Sequence, residues 1–175
     1  FESNFILNKI LKNKYKLRHY ILLIITLIYL AFLIINIFQI KINNNFDEQL
    51  ILLIIISTCI STDIGGYFFG NIFKGKKLTK ISPNKTYNGM YGSFILSTII
   101  NYILFKDYIG LEKLIIFSLL ISFVSQTGDL LISYIKRKAQ IKDAGNIFPG
   151  HGGCLDRFDG LVFAIPMGIM VFNFL

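Results

Sequence analysis

Charge is scarce in this sequence. Asp, Glu, Lys and Arg make up 16% of its 175 residues, where a soluble domain carries about 25%. Hydrophobic residues make up 54%, and the mean hydropathy is +0.61. That balance excludes an ordinary soluble domain and places the chain among integral membrane proteins. Cysteine is nearly absent as well. Cys59 lies in an apolar run and Cys154 in a glycine loop, with no paired spacing for a disulfide framework or a zinc site. Cys154 has no activating neighbour and is assigned no chemistry. Acidic charge is the scarcer sign, which leaves a net charge of +8. No basic helix with interleaved aromatics accompanies that charge, so nucleic acid is excluded as the partner. Basic residues flanking membrane spans explain it better. Internal repeats and low-complexity tracts are missing too, and residues 1–175 read as a single membrane-embedded domain.

What is there is apolar and comes in five runs. A spanning helix needs about 20 mostly apolar residues. Candidates are Tyr20 to Ile40, Leu50 to Phe73, Met90 to Phe105, Leu114 to Ile135 and Gly160 to Leu175. The second is interrupted in its latter half by Asp63, Gly65, Gly66 and Gly70; the third and fifth are short. The first is too long for the apolar region of a cleavable signal, and no small-residue cleavage site follows it. Alternating the spans puts fifteen of the eighteen basic residues on one side, in 1–19, 71–89 and 136–159. Lys41, Lys106 and Lys113 fall on the other. The positive-inside rule then sets the basic loops in the cytoplasm. The expected fold is an all-α polytopic bundle of about five transmembrane helices, multi-pass in the inner (plasma) membrane, with its active-site loops cytoplasmic.

Two carboxylates interrupt the apolar runs. A carboxylate in a span is costly without a partner or a watery cavity. Asp129 belongs to a stripe: Ser118, Ser122, Ser125, Asp129, Ser133 and Lys136 recur at spacings of three and four, one face of a helix. Close packing accounts for the upper serines but not for Asp129, which reads as functional. Asp63 precedes several glycines, which permit close helix approach or unwound backbone. It is either functional or solvated at a helix end.

The densest charge lies in KDAGNIFPGHGGCLDRFDG, positions 142 to 160, with three aspartates, one His, one Arg, one Lys and five glycines. Asp156 and Asp159 are three apart and share a face if a helix begins there. Two carboxylates there and a third from another helix form an oxygen-rich site suited to Mg²⁺, which takes one or two carboxylates and completes its shell with water and phosphates. The PGHGG backbone can approach phosphate closely. Lys136, Arg137, Lys142 and Arg157 supply cations for phosphate oxygens. His151 could touch phosphate, move a proton or stand exposed; it is kept with Gly152 and Gly153 among the substrate-binding candidates. The other loop, KGKKLTKISPNKTYNGMYG, is no P-loop. Its SPNKT core offers hydroxyl, cation and backbone donors for a phosphate.

At this point the residues resemble a known signature. SYIKRKAQIKDAGNIFPGHGGCLDRFDG, positions 133 to 160, resembles that of the phosphatidate cytidylyltransferase (CDP-diacylglycerol synthase) family. It carries Ser133, Lys136, Arg137, Lys142, Asp143, Pro149, Gly150, His151, Gly152, Gly153, Asp156, Arg157 and Asp159 in the family's order. TDIGGYFFGNIFKGKKL, ISPNKTYNG and SQTGDL extend the likeness to positions 62–160. The family's Trp-Glu after the Lys-Thr pair is Tyr87-Asn88 here, and Gly66 stands where alanine is commoner. Family members carry more N-terminal spans, and this chain opens at Phe1, not Met.

The resemblance implies a membrane enzyme of phospholipid biosynthesis. It joins CTP and phosphatidate into CDP-diacylglycerol and pyrophosphate, with Mg²⁺ and room for a second cation. It implies Asp129, Asp156 and Asp159 as metal ligands and, with Lys136, as catalytic residues. Ser82, Lys85, Thr86, Ser133, Arg137, Lys142 and Arg157 become substrate contacts. Membrane lipids are further partners, and a homodimer is left open. Two alternatives stand beside it: another Mg-dependent lipid-headgroup transferase, and an ion-coupled transporter using Asp63 and Asp129. The D-G-x-x-A-R run of CDP-alcohol phosphotransferases is absent, since Leu161, Val162, Phe163 and Ala164 follow Asp159-Gly160.

Overall fold

The computed structural model describes residues 16–43, 46–79, 82, 84–141, 143–144, 153, 155–172 and 174. Among them are five helices: α1 (Lys16–Asn43), α2 (Phe46–Phe73), α3 (Tyr87–Phe105), α4 (Leu111–Lys138) and α5 (Leu155–Phe172). The β pairing among the described residues is one isolated bridge, Lys77 to Thr86. Each apolar run of the sequence coincides with one helix. By length and composition α2 and α4 are able to cross a membrane; Ile24–Phe38 and Phe158–Phe172 are shorter apolar stretches.

Three differences from the sequence reading have a clear local cause. α2 runs unbroken through Gly65, Gly66 and Gly70, because those glycines serve packing and not unwinding. A Cβ on Gly65 would lie 2.9 Å from Ser93 Cα, and one on Gly89 would lie 2.7 Å from the Gly66 carbonyl oxygen. Only glycine lets α2 and α3 approach so closely. α3 begins at Tyr87, ahead of Met90, because Thr86 caps it: its Oγ1 accepts from Gly89 N at 3.1 Å. α5 begins at Leu155, ahead of Gly160, and its first turn takes in Asp156, where helical N–H groups favour negative charge.

The apolar core joins Leu50, Ile51, Ile54, Ile55 and Cys59 of α2 to Leu114, Phe117 and Ile121 of α4 and Ala164 and Ile165 of α5. Beside it the interior turns polar. Buried Asn101 of α3 donates to Thr58 Oγ1 at 2.6 Å and to Ser118 Oγ at 2.8 Å. Thr62 donates to Ser122 at 2.8 Å, and Ser93 donates to the Thr62 carbonyl at 2.6 Å. In an apolar surrounding, such hydroxyls must find partners in the neighbouring helices, so they fix which helix faces which.

α1 stands on the outside, with Ile28, Ile34 and Phe38 exposed. Tyr29 helps tie it down: its OH donates to the Val162 carbonyl at 2.7 Å. Pro166 lies inside α5 and has no N–H for the carbonyl four residues back, which is Val162. Tyr29 supplies the missing donor, and its ring meets Phe163 at 6.2 Å.

Candidate active site

The serine stripe of α4 is real and faces inward. Ser118, Ser122, Ser125 and Lys136 are buried, and Asp129 and Ser133 are half-buried. α5 returns antiparallel along this face. Lys136 pairs with Asp156, Asp129 meets Asp159, and Gly160 lies against Ser125. The three-residue step from Asp156 to Asp159 therefore matches the seven-residue step from Lys136 back to Asp129.

The two loop aspartates sit differently. Asp156 Oδ1 accepts from Lys136 Nζ at 2.7 Å. Its Oδ2 accepts from Ala144 N at 2.8 Å and Gly153 N at 2.9 Å. One carboxylate thus joins the end of α4 to both ends of segment 145–152. Burial opposes its ionisation, but the bond from Lys136, the two backbone bonds and the lysine charge outweigh that. The Asp156 carboxyl therefore lies below the usual carboxylate range. Asp159 instead turns to Asp129, side chain to side chain, while accepting from Gly160 N at 2.9 Å.

Lys85 reaches Asp129 from the other flank and forms an ion pair with it. It is carried on a strap between α2 and α3. Leu78 N donates to Lys85 O at 2.7 Å, and Tyr87 N donates to Lys76 O at 3.1 Å. The strap leaves α2 through Lys74 (φ 45°) and Gly75 (φ 119°), a left-handed exit that suits glycine. Asn88 holds that exit, donating to Lys74 O at 2.8 Å and Phe73 O at 3.3 Å.

Between strap and helices lies a cavity of about 370 Å³. Its lining includes Asp63, Ser82, Asn84, Lys85, Thr86 and Asp129. Ser82, Lys85, Thr86 and Asp129, expected at the site from the sequence, are therefore brought together. Thr86 lines the cavity, but its hydroxyl already caps α3. Ser133 Oγ stands 3.4 Å from Asp129 Oδ1. Arg137 is exposed and directed at the Ile141 carbonyl. Lys142, His151, Gly152 and the Arg157 side chain lie outside the described residues.

Asp63 is not at a helix end. It lies well inside α2, on the cavity wall, and its charge acts on Asp129. The sequence assigns no role to Asn84 or Gln126, which lie within the SPNKT and SQTGDL runs, or to Asn88, which stands out only as a departure from the family, because isolated amides carry no periodic signal. Among the described residues, no three His, Cys, Asp or Glu side chains close around one point as a metal cage. The Asp129–Asp159 pair still suits a hard cation, since two facing carboxylates repel unless positive charge joins them.

A model of the cytidylyltransferase family matches residues 3–175. The phosphatidate cytidylyltransferase of Staphylococcus saprophyticus is 44% identical over 110 residues, covering 61% of this chain and 42% of that protein. The phosphatidate cytidylyltransferase of Rickettsia typhi is 41% identical over 128 residues, covering 66% and 56%. That of Rickettsia prowazekii is 41% identical over 133 residues, covering 69% and 58%. The chain spans about half the length of these curated relatives.

Proposed function

The chain belongs to the cytidylyltransferase family, and from that premise we propose that it transfers CMP from CTP to phosphatidate, giving CDP-diacylglycerol and pyrophosphate. The observation that carries the reading is the meeting of Lys85 and Asp129 on the wall of one cavity, with Asp159 behind them. That meeting supports the reading, because a lysine suits phosphate oxygens and facing carboxylates suit a metal.

Each residue has a task in this reading. A phosphate oxygen of phosphatidate bonds to the α-phosphorus of CTP. The α–β anhydride bond breaks, and pyrophosphate leaves with the electron pair. The attacking phosphate is already ionised, so the chain needs no general base. Its work is positioning and charge neutralisation. Lys85, Ser82 and the strap's backbone hold the triphosphate. Asp129 and Asp159 would hold Mg²⁺, and Asp156 would join them as a third ligand once its present partners yield. The chemistry Mg²⁺ would supply there is charge neutralisation of phosphate oxygens. Lys136 adds positive charge beside Asp156 and Asp159, and Arg137, Lys142, His151 and Arg157 complete the substrate contacts.

The five helices cross the inner membrane in this reading, with the strap and the α4–α5 segment cytoplasmic. The basic residues clustered there support it, as do the exposed apolar side chains on the outer helix faces. Thr62, Ser93 and Ser122 spend their hydroxyls on one another and on backbone, which supports packing over an ion path.

The test is CDP-lipid formation from CTP and phosphatidate in detergent micelles, with Mg²⁺ or with chelator. We expect Mg²⁺-dependent product and a loss of roughly a hundredfold or more in Asp129→Asn. A folded Asp129→Asn protein with full turnover would sink the assignment.

A further inference from the structure

Asp129 is crowded by negative charge. Asp159 touches it, and Asp63 acts on it across the cavity. Among the described residues, Lys85 is the cation paired with it. A carboxylate group so placed is stabilised by positive charge close by, whether or not a metal is present.

The two lysines of the site are held differently. Lys136 is buried, stands in the last turn of α4, and meets a carboxylate already gripped by two backbone N–H groups. Lys85 extends from the strap, not from a helix, and lines open space. Its side chain and that of Asp129 are 29% and 24% exposed. Lysine's flexible four-carbon stem and three rotatable donors allow it to change partners without moving backbone.

We propose that Lys85 is a placeholder cation. Its ammonium neutralises Asp129 in the empty site, yields that carboxylate to Mg²⁺, and turns to the phosphate oxygens of the incoming nucleotide. The inference rests on the reading of Asp129 as a metal ligand and adds an order to it. Before nucleotide arrives, metal and lysine compete for one carboxylate, so metal alone binds weakly. Once a triphosphate offers Lys85 another partner, the competition ends. Metal and nucleotide then strengthen each other's binding by the same factor. The device keeps a crowded acidic site folded without metal and favours filling it when both reactants are present.

The test reads metal binding without turnover. Mn²⁺, standing in for Mg²⁺, is titrated into the purified chain in detergent without nucleotide, and free Mn²⁺ is followed by electron paramagnetic resonance. Lys85→Met and Lys85→Gln are both measured, with thermal unfolding to confirm that each is folded. Removal of the competing ammonium should tighten Mn²⁺ binding by roughly tenfold, while Asp129→Asn should abolish the site. If neither lysine variant tightens Mn²⁺ binding but Asp129→Asn still abolishes it, the exchange is overturned and the ligand assignment stands. If Asp129→Asn binds Mn²⁺ as the unaltered chain does, the ligand assignment itself falls and the exchange with it.

Discussion

Lys136 Nζ lies 2.7 Å from Asp156 Oδ1, and each side chain is only 11% exposed. Twenty residues separate the two in the chain, and the pair closes the end of α4 onto the start of α5. Removing one partner strands the other charge in a poorly solvated place. Lys136→Met should therefore cost roughly 2–4 kcal/mol of stability, read as a lower thermal midpoint in detergent. The double variant Lys136→Met with Asp156→Asn should recover part of that loss. A double variant no better than the single one would mean that the stranded charge is not the cause.

The same carboxylate sets a pH dependence. The Asp156 carboxyl lies below its ordinary value in the folded chain. Its contribution is fully present above the unfolded value of about 4 and is lost as pH falls through the lower folded value. The thermal midpoint should hold steady from neutrality to about pH 4 on this account, then fall. Asp156→Asn should start lower and lack that part of the acid decline. An acid limb identical in both proteins would assign the decline to other groups.

Tyr29 should matter through its hydroxyl alone. Tyr29→Phe keeps the ring on Phe163 and removes the side-chain donor at the Val162 carbonyl. An unsatisfied buried carbonyl costs about 1–3 kcal/mol, and this half-buried one should fall at the low end. Pro166→Ala restores an N–H for that carbonyl, so Tyr29→Phe should do little in that background. The check is a double-mutant cycle on thermal stability, and an additive pair would remove the link between Tyr29 and Pro166.

Gly160 permits α5 to lie against α4. A Cβ there would run into Ser125 Oγ, one turn from the Asp129–Asp159 contact. Gly160→Ala should push the helices apart at a cost of about 1–3 kcal/mol and lower turnover with it. Ser125→Ala removes the obstructing oxygen and should rescue both. Failure of the rescue would show that the close approach is set elsewhere.

Asn88 stands where the resembled family has glutamate, and here its amide caps the α2 exit. Asn88→Asp replaces a donor with an acceptor facing two carbonyl oxygens. The strap should loosen and Lys85 lose its place, so on the proposed function KM for CTP should rise by roughly tenfold or more with the helices intact. Unchanged KM in a folded Asn88→Asp protein would detach the strap from nucleotide binding.

How much of this was legible beforehand depends on the range of the interaction. The five helices follow from apolar run length, which is local. The stripe from Ser118 to Lys136 follows from helical period, also local, and it does face inward. The meaning of Gly65 and Gly66 was open between unwinding and packing, and only the position of Ser93 and Gly89 on α3 decided it. Asn101 raised no signal, since one amide in an apolar run looks the same whether it meets lipid or Thr58 and Ser118.

The sequence by itself determined which segments are helices and which face of α4 is polar; that Asp129, Asp156 and Asp159 act together is what its family resemblance implies. Tertiary structure decided the partners. It set Lys85 on Asp129, forty-four residues away, and divided the loop aspartates between Lys136 and Asp129. It also placed Asp63 on the cavity wall. The reason is geometric. Helical period fixes the direction of a side chain around its own axis, while the partner it meets depends on the depth and register of a second helix. Here those are set by glycines that let backbones touch and by buried hydroxyls that must be matched.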